Sequence, residues 1–249
     1  MPNVPGPSPQ PDSQELERTA TIGVMAKRET VLKVSDLTKK YGDHVIVSGF
    51  NLTVHAGEAV ALTGRNGSGK STVLRCIIGA DRPSEGTVNV LGRKVNETDA
   101  GFRRDVATVV DDLDFFPDLS VVEHLDLLAR AHGVVDSDEM VDEVLEEVQL
   151  VPQSGQLPGT LSSGQRRRLA LATALVRPKR LLVMDEPEQR LDVEGVAWLG
   201  ARLSHELKKG LAIVMASHEP ALVEALDARI VRLGADSTDN ESKVEQEML

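Results

Sequence analysis

Cysteine, aromatic residues and long apolar runs are scarce in this chain of 249 residues. The single cysteine, Cys76, excludes an internal disulfide and a cysteine-rich metal site, and its place in a predicted helix indicates a small core residue. Aromatic residues make up 2% of the chain, too few for the stacking platforms that bind single-stranded nucleic acids. No apolar run approaches the roughly 20 residues of a membrane span, and no signal segment opens the sequence. We therefore expect a cytoplasmic protein that reaches a membrane only through a partner.

Positive charge is also in deficit, with 28 Lys and Arg against 39 Asp and Glu, and a net charge of −11. A surface of this sign repels nucleic acid, so we expect no nucleic-acid partner. Residues 1–29 carry alternating prolines, and residues 235–249 are polar and acidic, so both segments are predicted to be disordered tails. A folded domain is predicted between them, at residues 30–234.

Short apolar runs of strand length alternate with helical patterns inside this domain. The runs cover residues 59–63, 106–110, 181–184, 211–216 and 230–233, and the helical patterns cover residues 71–79, 163–176 and 193–208. This alternation predicts an α/β fold with a mostly parallel sheet. Residues 30–60 and 86–95 predict an antiparallel β-subdomain at its edge. A small helical subdomain is predicted at about residues 112–160, where Ser120 and Glu123 form a capping box.

A phosphate loop follows the first apolar run and precedes a helix. It reads Gly64-Arg65-Asn66-Gly67-Ser68-Gly69-Lys70-Ser71-Thr72. Glycines let successive N–H groups point at phosphates, and the helix N-terminus adds a favourable dipole. Lys70 is predicted to contact the β- and γ-phosphates of a nucleoside triphosphate, and the Ser71 hydroxyl is a candidate Mg²⁺ ligand. This loop predicts a P-loop nucleotide-binding core.

Two of the apolar runs end in residues suited to phosphate chemistry. Asp185 is a candidate Mg²⁺ ligand and Glu186 a candidate general base that polarises the attacking water; the alternative is an ordinary acidic surface turn. His218 follows the run at residues 211–216, at a strand end where α/β sites collect, and is a candidate donor to the γ-phosphate. The alternative for His218 is an ordinary surface histidine.

Two further features suggest how the base and a second copy would be bound. Tyr41, the only tyrosine, is either a half-buried strand residue or a face on which adenine stacks. The turn Leu161-Ser162-Ser163-Gly164-Gln165 opens a predicted helix and offers a phosphate contact that the chain's own loop does not need. We interpret this turn as a sign that two copies close over shared nucleotide.

Together these residues resemble the ATPase subunit of an ABC transporter over about residues 31–234. Residues 64–72 match the Walker A loop, residues 161–165 the signature, residues 181–186 Walker B, and His218 and Tyr41 the switch histidine and the adenine-stacking aromatic. The resemblance implies that two ATPase subunits enclose two ATP molecules and drive a separate transmembrane permease from the cytoplasmic face of the membrane. Ser162, Ser163, Gly164 and Gln165 would then contact the γ-phosphate that is held by the opposite subunit.

Two departures from the family pattern bear on hydrolysis. Asp111 stands where the family usually has a glutamine that reaches Mg²⁺ and the attacking water, so it is a candidate, shorter metal ligand. The loop after Walker B, Glu188-Gln189-Arg190, is bulkier and more charged than usual. Either change would slow hydrolysis or shift its coupling without abolishing ATP binding.

The resemblance implies an enzyme that hydrolyses ATP, and the short helical subdomain indicates an exporter-type subunit. Two alternatives stay open. One is a soluble ABC ATPase that acts on DNA or ribosomes, although the coiled coils, zinc sites or tandem cassettes of those branches are missing from the sequence. The other is a weakly hydrolysing or regulatory subunit paired with an active sister. The sequence leaves the transported substrate and the choice between homodimer and heterodimer undetermined.

Overall fold

The computed structural model describes residues 28–110 and 114–234. The predicted tails lie outside these ranges, apart from Arg28 and Glu29. Nine strands are described: β1 Thr30–Tyr41, β2 His44–His55, β3 Ala59–Thr63, β4 Glu85–Val90, β5 Arg93–Lys94, β6 Val106–Val109, β7 Leu181–Asp185, β8 Ala212–Ala216 and β9 Arg229–Arg232. Seven α-helices accompany them: α1 Lys70–Ile78, α2 Ala100–Asp105, α3 Val121–Ala131, α4 Ser137–Glu147, α5 Ser163–Leu175, α6 Val193–Lys208 and α7 Pro220–Ala225.

Five strands form a parallel sheet in the order β6-β7-β8-β3-β9. The central strand β8 is buried at every position, and β7 is buried at all but its last residue, because helices cover both faces of the sheet. Parallel strands all end at one edge, so the residues after β3, β7 and β8 meet there. The predicted α/β class with a mostly parallel sheet is confirmed.

The other four strands form an antiparallel sheet in the order β2-β1-β4-β5. Helix α1 lies between the two sheets, where the apolar side chains of Val73, Leu74 and Ile77 are fully buried in a core shared with β1, β2 and β4. Cys76 belongs to the same core, and burial raises the pKa of its thiol. The prediction of Cys76 as a core residue is confirmed.

Helices α3 and α4 pack with α5 around a separate apolar cluster that includes Val121, Leu125, Val144 and Leu145. The predicted capping box is present: the Ser120 backbone N–H donates to the Glu123 carboxylate at 2.8 Å, and the Glu123 N–H donates to the Ser120 hydroxyl. None of the helices in the described ranges has both the length and the apolarity needed to cross a bilayer.

The sequence does not predict α2 and α7, each of which has six residues. Helices of this length span less than two turns, so they show no measurable period of apolar residues. The residues that cap their N-termini are the only sequence signal for these two helices. The Asp99 side chain accepts from the N–H of Phe102 at the start of α2, and Pro220 occupies the first position of α7 after the capping Glu219.

Candidate functional site

The phosphate loop connects the end of β3 to the start of α1, and its shape depends on glycine. Gly64, Gly67 and Gly69 have φ values of 144°, 81° and 95°, which other residues rarely adopt. A Cβ atom on Gly64 would lie 2.6 Å from the Leu233 carbonyl oxygen, and one on Gly69 would lie 2.6 Å from the Val47 side chain. The loop can therefore adopt this curled conformation only if these positions are glycine.

Lys70 lies inside the curl of the loop, with 7% of its surface exposed. Its ammonium donates to the carbonyl oxygen of Gly64 at 2.9 Å and approaches that of Arg65 at 3.4 Å. The Ser68 hydroxyl nearby is buried and has no hydrogen-bond partner within residues 28–110 and 114–234. A buried cation and an unsatisfied hydroxyl in a loop of N–H groups fit an anionic phosphate chain.

A cleft of about 450 Å³ opens beside this loop. It is lined by Tyr41, Ile46, Asn66, Gly67, Gly69, Lys70, Ser71, Thr72 and Glu186. Helix α1 packs against β7 and β8, which brings the start of the helix to the edge where Glu186 follows β7. The structure thus places one predicted carboxylate, the predicted aromatic and the phosphate loop around one space.

Glu186 sits in a strained turn directly after β7. Its φ of 44° is unusual for a residue with a side chain, and such strain is typical of functional sites. Its N–H donates to the Ala216 carbonyl at the end of β8, at 2.8 Å. The backbone that carries Asp185 and Glu186 is therefore fixed to the neighbouring strand.

A buried arginine on α5 fixes the same turn from the other side. The Arg167 guanidinium donates to the carbonyl oxygens of Asp185 at 2.7 Å and Pro187 at 3.2 Å, and also to that of Glu186. These bonds give three successive backbone carbonyl groups of the turn a side-chain donor. The sequence gives no signal for this role, since Arg167 is the middle member of a run of three arginines.

The atypical loop at residues 188–190 contacts the side chain of Glu186 and the backbone of His218. The Gln189 amide donates to the Glu186 carboxylate at 2.9 Å. The Glu188 carboxylate accepts from the Ser217 hydroxyl at 2.8 Å and from the His218 backbone N–H at 3.3 Å. From the sequence these residues are only departures from a pattern; the contacts across 29 and 30 positions were not foreseeable.

Tyr41 lies at the rim of the cleft with 49% of its surface exposed. Its hydroxyl donates to the Asp81 carboxylate at 2.7 Å, which raises the pKa of Tyr41 and lowers that of Asp81. The Lys39 ammonium lies 4.7 Å from the ring centroid, and Arg75 donates to Asp81 at 3.0 Å. These contacts anchor the ring at the rim, as a stacking surface requires.

The predicted signature turn lies elsewhere in the described chain, because Ser162, Ser163, Gly164 and Gln165 are not part of the cleft lining. Ser162 and Gln165 form a capping box at the start of α5, with the Gln165 side chain accepting from the Ser162 N–H at 2.9 Å. The side chain of His218 follows β8 and is exposed, outside the same lining. Asp111 lies outside the described residues.

Oxygen donors for Mg²⁺ are available at the edge of the parallel sheet. Ser71 lies at the start of α1 and Asp185 at the end of β7. Within residues 28–110 and 114–234 no group of three or more His, Cys, Asp or Glu could hold a metal by itself. This donor set fits Mg²⁺, which proteins bind through one or two oxygens together with substrate phosphates.

Residues 47–189 match the family model described as ABC transporter. The chain belongs to the ABC transporter family.

Two relatives carry opposite transport directions in their names. The spermidine/putrescine import ATP-binding protein PotA of Pseudomonas aeruginosa (strain UCBPP-PA14) is 33% identical over 219 residues, which are 87% of this chain and 58% of PotA. The SkfA peptide export ATP-binding protein SkfE of Bacillus subtilis (strain 168) is 32% identical over 203 residues, which are 81% of this chain and 84% of SkfE. The exporter assignment therefore stays a prediction. The chain spans 58% of the length of PotA.

A solved structure supports the same assignment of family and fold. It is a dimeric ATP-binding cassette in a post-hydrolysis state, bound to ADP and Pi, with 28% identity and a TM-score of 0.71. The match covers 81% of this chain and 94% of that chain. Since the relatives are named as transport ATP-binding proteins, a soluble ATPase acting on DNA or ribosomes is not favoured.

Proposed function

We propose that this chain binds ATP with Mg²⁺ and hydrolyses it as the cassette subunit of a membrane transporter. The observation that carries this proposal is the cleft in which Lys70, Ser71 and Glu186 line one space with Tyr41 at its rim. A cation, a hydroxyl and a carboxylate are the groups that phosphoryl transfer to water requires. ATP would lie with its adenine on Tyr41 and its phosphates in the loop.

In the proposed reaction Glu186 accepts a proton from water while the water oxygen attacks the γ-phosphorus. The bond between the γ-phosphorus and the bridging oxygen breaks, and ADP leaves with the bonding electrons. Lys70 and the loop N–H groups hold the phosphate oxygens, and His218 donates to the γ-phosphate as charge shifts onto it. Mg²⁺, which Ser71, Asp185 and Asp111 would hold, would neutralise the phosphate charge.

The signature turn lies outside the cleft of its own chain, which supports the proposal of a second ATPase subunit as partner. Helix α5 has 13 residues, and its first N–H groups, at Ser163 and Gly164, have no acceptor within the helix and lie at its positive dipole end. In the proposed dimer these groups face the γ-phosphate on the opposite subunit. The other proposed partner is a transmembrane permease, which closure of the dimer would drive. The chain would bind this permease at the cytoplasmic face of the membrane.

The test of this function is phosphate release from ATP by the purified chain, with and without Mg²⁺ and with a co-purified permease. We expect Mg²⁺-dependent turnover that rises when the permease is present. Equilibrium dialysis with ATP gives the binding stoichiometry in parallel. A chain that neither binds ATP at micromolar to millimolar concentration nor releases phosphate does not have this function.

Removing the Tyr41 ring is expected to weaken ATP binding without affecting the phosphate site. A stacked base contributes about 1–3 kcal/mol, so Tyr41→Ala should raise the Kd for ATP roughly 5- to 150-fold. Inorganic tripolyphosphate, which has no base, should bind the variant and the unmodified chain equally. Tyr41→Phe is the matched control, because it keeps the ring and loses only the hydrogen bond to Asp81. Equal losses for ATP and tripolyphosphate would contradict the stacking role.

Restoring the usual family residue at position 111 is expected to raise ATP turnover. Glutamine is longer than aspartate and neutral, so Asp111→Gln would reach Mg²⁺ and the attacking water directly. We expect kcat to rise several-fold, or turnover to become more dependent on the permease, with little change in ATP affinity. Asp111→Asn is the control for charge without added length. An unchanged or lower kcat would mean that the chain is adapted to aspartate.

A further inference from the structure

A carboxylate in the loop after β7 ties that loop to the segment after β8. The Glu188 Oε1 atom accepts from the Ser217 hydroxyl at 2.8 Å and from the His218 N–H at 3.3 Å. Ser217 is fully buried, and its hydroxyl oxygen also accepts from the Glu219 N–H at 3.1 Å. The backbone on either side of His218 is therefore held by one carboxylate and one hydroxyl.

The second oxygen of Glu188 lacks the hydrogen bonds that the first one has. Glu188 Oε2 is buried and has no hydrogen-bond partner among the described residues. A buried carboxylate oxygen without a donor is unfavourable, and a neutral side chain would avoid it. Such an unsatisfied group in a folded protein calls for an explanation outside stability. Its contact with the His218 segment supplies one.

A second tie lies two residues before Glu188 on the same loop. The Glu186 N–H donates to the Ala216 carbonyl at 2.8 Å, next to the point where Glu188 meets Ser217 and His218. The two ties fix the ends of β7 and β8 to each other over consecutive residues. The two contacts therefore link the backbone at Glu186 to the backbone at His218.

We propose that Glu188 is a positioning residue that holds His218 in place for ATP hydrolysis, an inference that rests on the proposed function. Glu188 is not among the residues that line the cleft, so it would act through Ser217 and the His218 backbone. A misplacement of about 1 Å in a reacting group can lower a rate by roughly 10²-fold. The binding of ATP, which depends on the phosphate loop and Tyr41, is not expected to involve Glu188.

The first experiment separates turnover from binding. Glu188→Ala is expected to lower kcat at least tenfold while the Kd for ATP changes less than twofold. Glu188→Gln retains a carbonyl oxygen that accepts from Ser217, so it should recover most of the lost rate. Glu143→Ala, an exposed glutamate of α4, is the matched control. Parallel losses of kcat and ATP affinity in Glu188→Ala would overturn the inference.

The second experiment asks whether Glu188 acts through His218. In a chain that already carries His218→Ala, adding Glu188→Ala should leave kcat unchanged, because the group that it positions is gone. Multiplied losses in the double variant would overturn the inference and leave the proposed function intact. Absence of hydrolysis in the unmodified chain would instead overturn the proposed function.

Thermal melting of each variant tests whether it still folds. A substitution at Ser217, the hydrogen-bond partner of Glu188, provides a further control. Ser217→Ala removes the hydroxyl that donates to the Glu188 carboxylate and accepts from the Glu219 N–H, and it should lower kcat as Glu188→Ala does. If Glu188→Ala does not fold, Ser217→Ala and Glu188→Gln carry the same comparison. A Ser217→Ala chain with full kcat and a normal melting temperature would overturn the inference.

Discussion

Glu186→Gln is expected to reduce ATP turnover by roughly 10²–10⁴-fold, the range that loss of a general base produces, while ATP binding is retained. The glutamine has the shape of the glutamate and its carbonyl oxygen can still accept from the Gln189 amide, which now bonds Glu186 at 2.9 Å. The backbone ties from Arg167 and to Ala216 do not involve the side chain. The variant therefore removes the base with little change in geometry.

The same substitution is expected to trap ATP-bound dimers, since nucleotide that is not hydrolysed keeps the two subunits together. Size-exclusion chromatography with and without ATP gives the dimer fraction, and phosphate release gives the rate. Glu143→Gln, on the exposed face of α4, is the control for loss of one negative charge. Unchanged turnover in Glu186→Gln would refute the assignment of Glu186 as the base and leave the nucleotide site itself in place.

The parts of the fold that the sequence predicts well are those with a strong local pattern. Helix α6 runs from Val193 to Lys208 as predicted, because an apolar stripe continues over 16 residues and Asp192 caps its first turn. Strand β7 is apolar at four successive positions, which indicates burial on both faces. Helices α2 and α7 are too short to show such a pattern, so only the structure reveals them.

The residues of the candidate site likewise fall into those that the sequence predicts and those that only the structure reveals. The phosphate loop is contiguous in sequence, and its spacing predicts Lys70 and Ser71 before any fold is known. Arg167 contacts residues 18 and 19 positions away, and Tyr41 contacts Asp81 over 40 positions. Such contacts depend on how strands and helices pack, and many charged residues in the chain are equally plausible partners from the sequence alone. The residues that position the site are consequently the ones that sequence patterns miss.

Lys70→Ala is expected to abolish measurable ATP binding. A hydrogen bond to a charged group contributes about 1.5–3 kcal/mol, so its loss alone would raise the Kd roughly 10- to 150-fold. The ammonium also donates to the carbonyl oxygen of Gly64 at 2.9 Å, and its removal leaves that oxygen without its donor inside the loop. This contact also helps to hold the loop in its curled conformation. Without it, the backbone N–H groups of the loop would no longer be oriented toward the phosphates.

Titration calorimetry with ATP and with tripolyphosphate measures this effect, and both ligands should lose affinity, since Lys70 acts on the phosphates and not on the base. This result would distinguish Lys70→Ala from Tyr41→Ala, which is expected to weaken ATP alone. Lys33→Ala, an exposed lysine on β1, is the control for loss of one positive charge. Undiminished affinity in Lys70→Ala, with a melting temperature equal to that of the unmodified chain, would contradict the phosphate-binding role of the loop. Two ligands and two variants thus separate the two ends of the nucleotide site, because the phosphate chain depends on one buried cation and the base on one anchored ring.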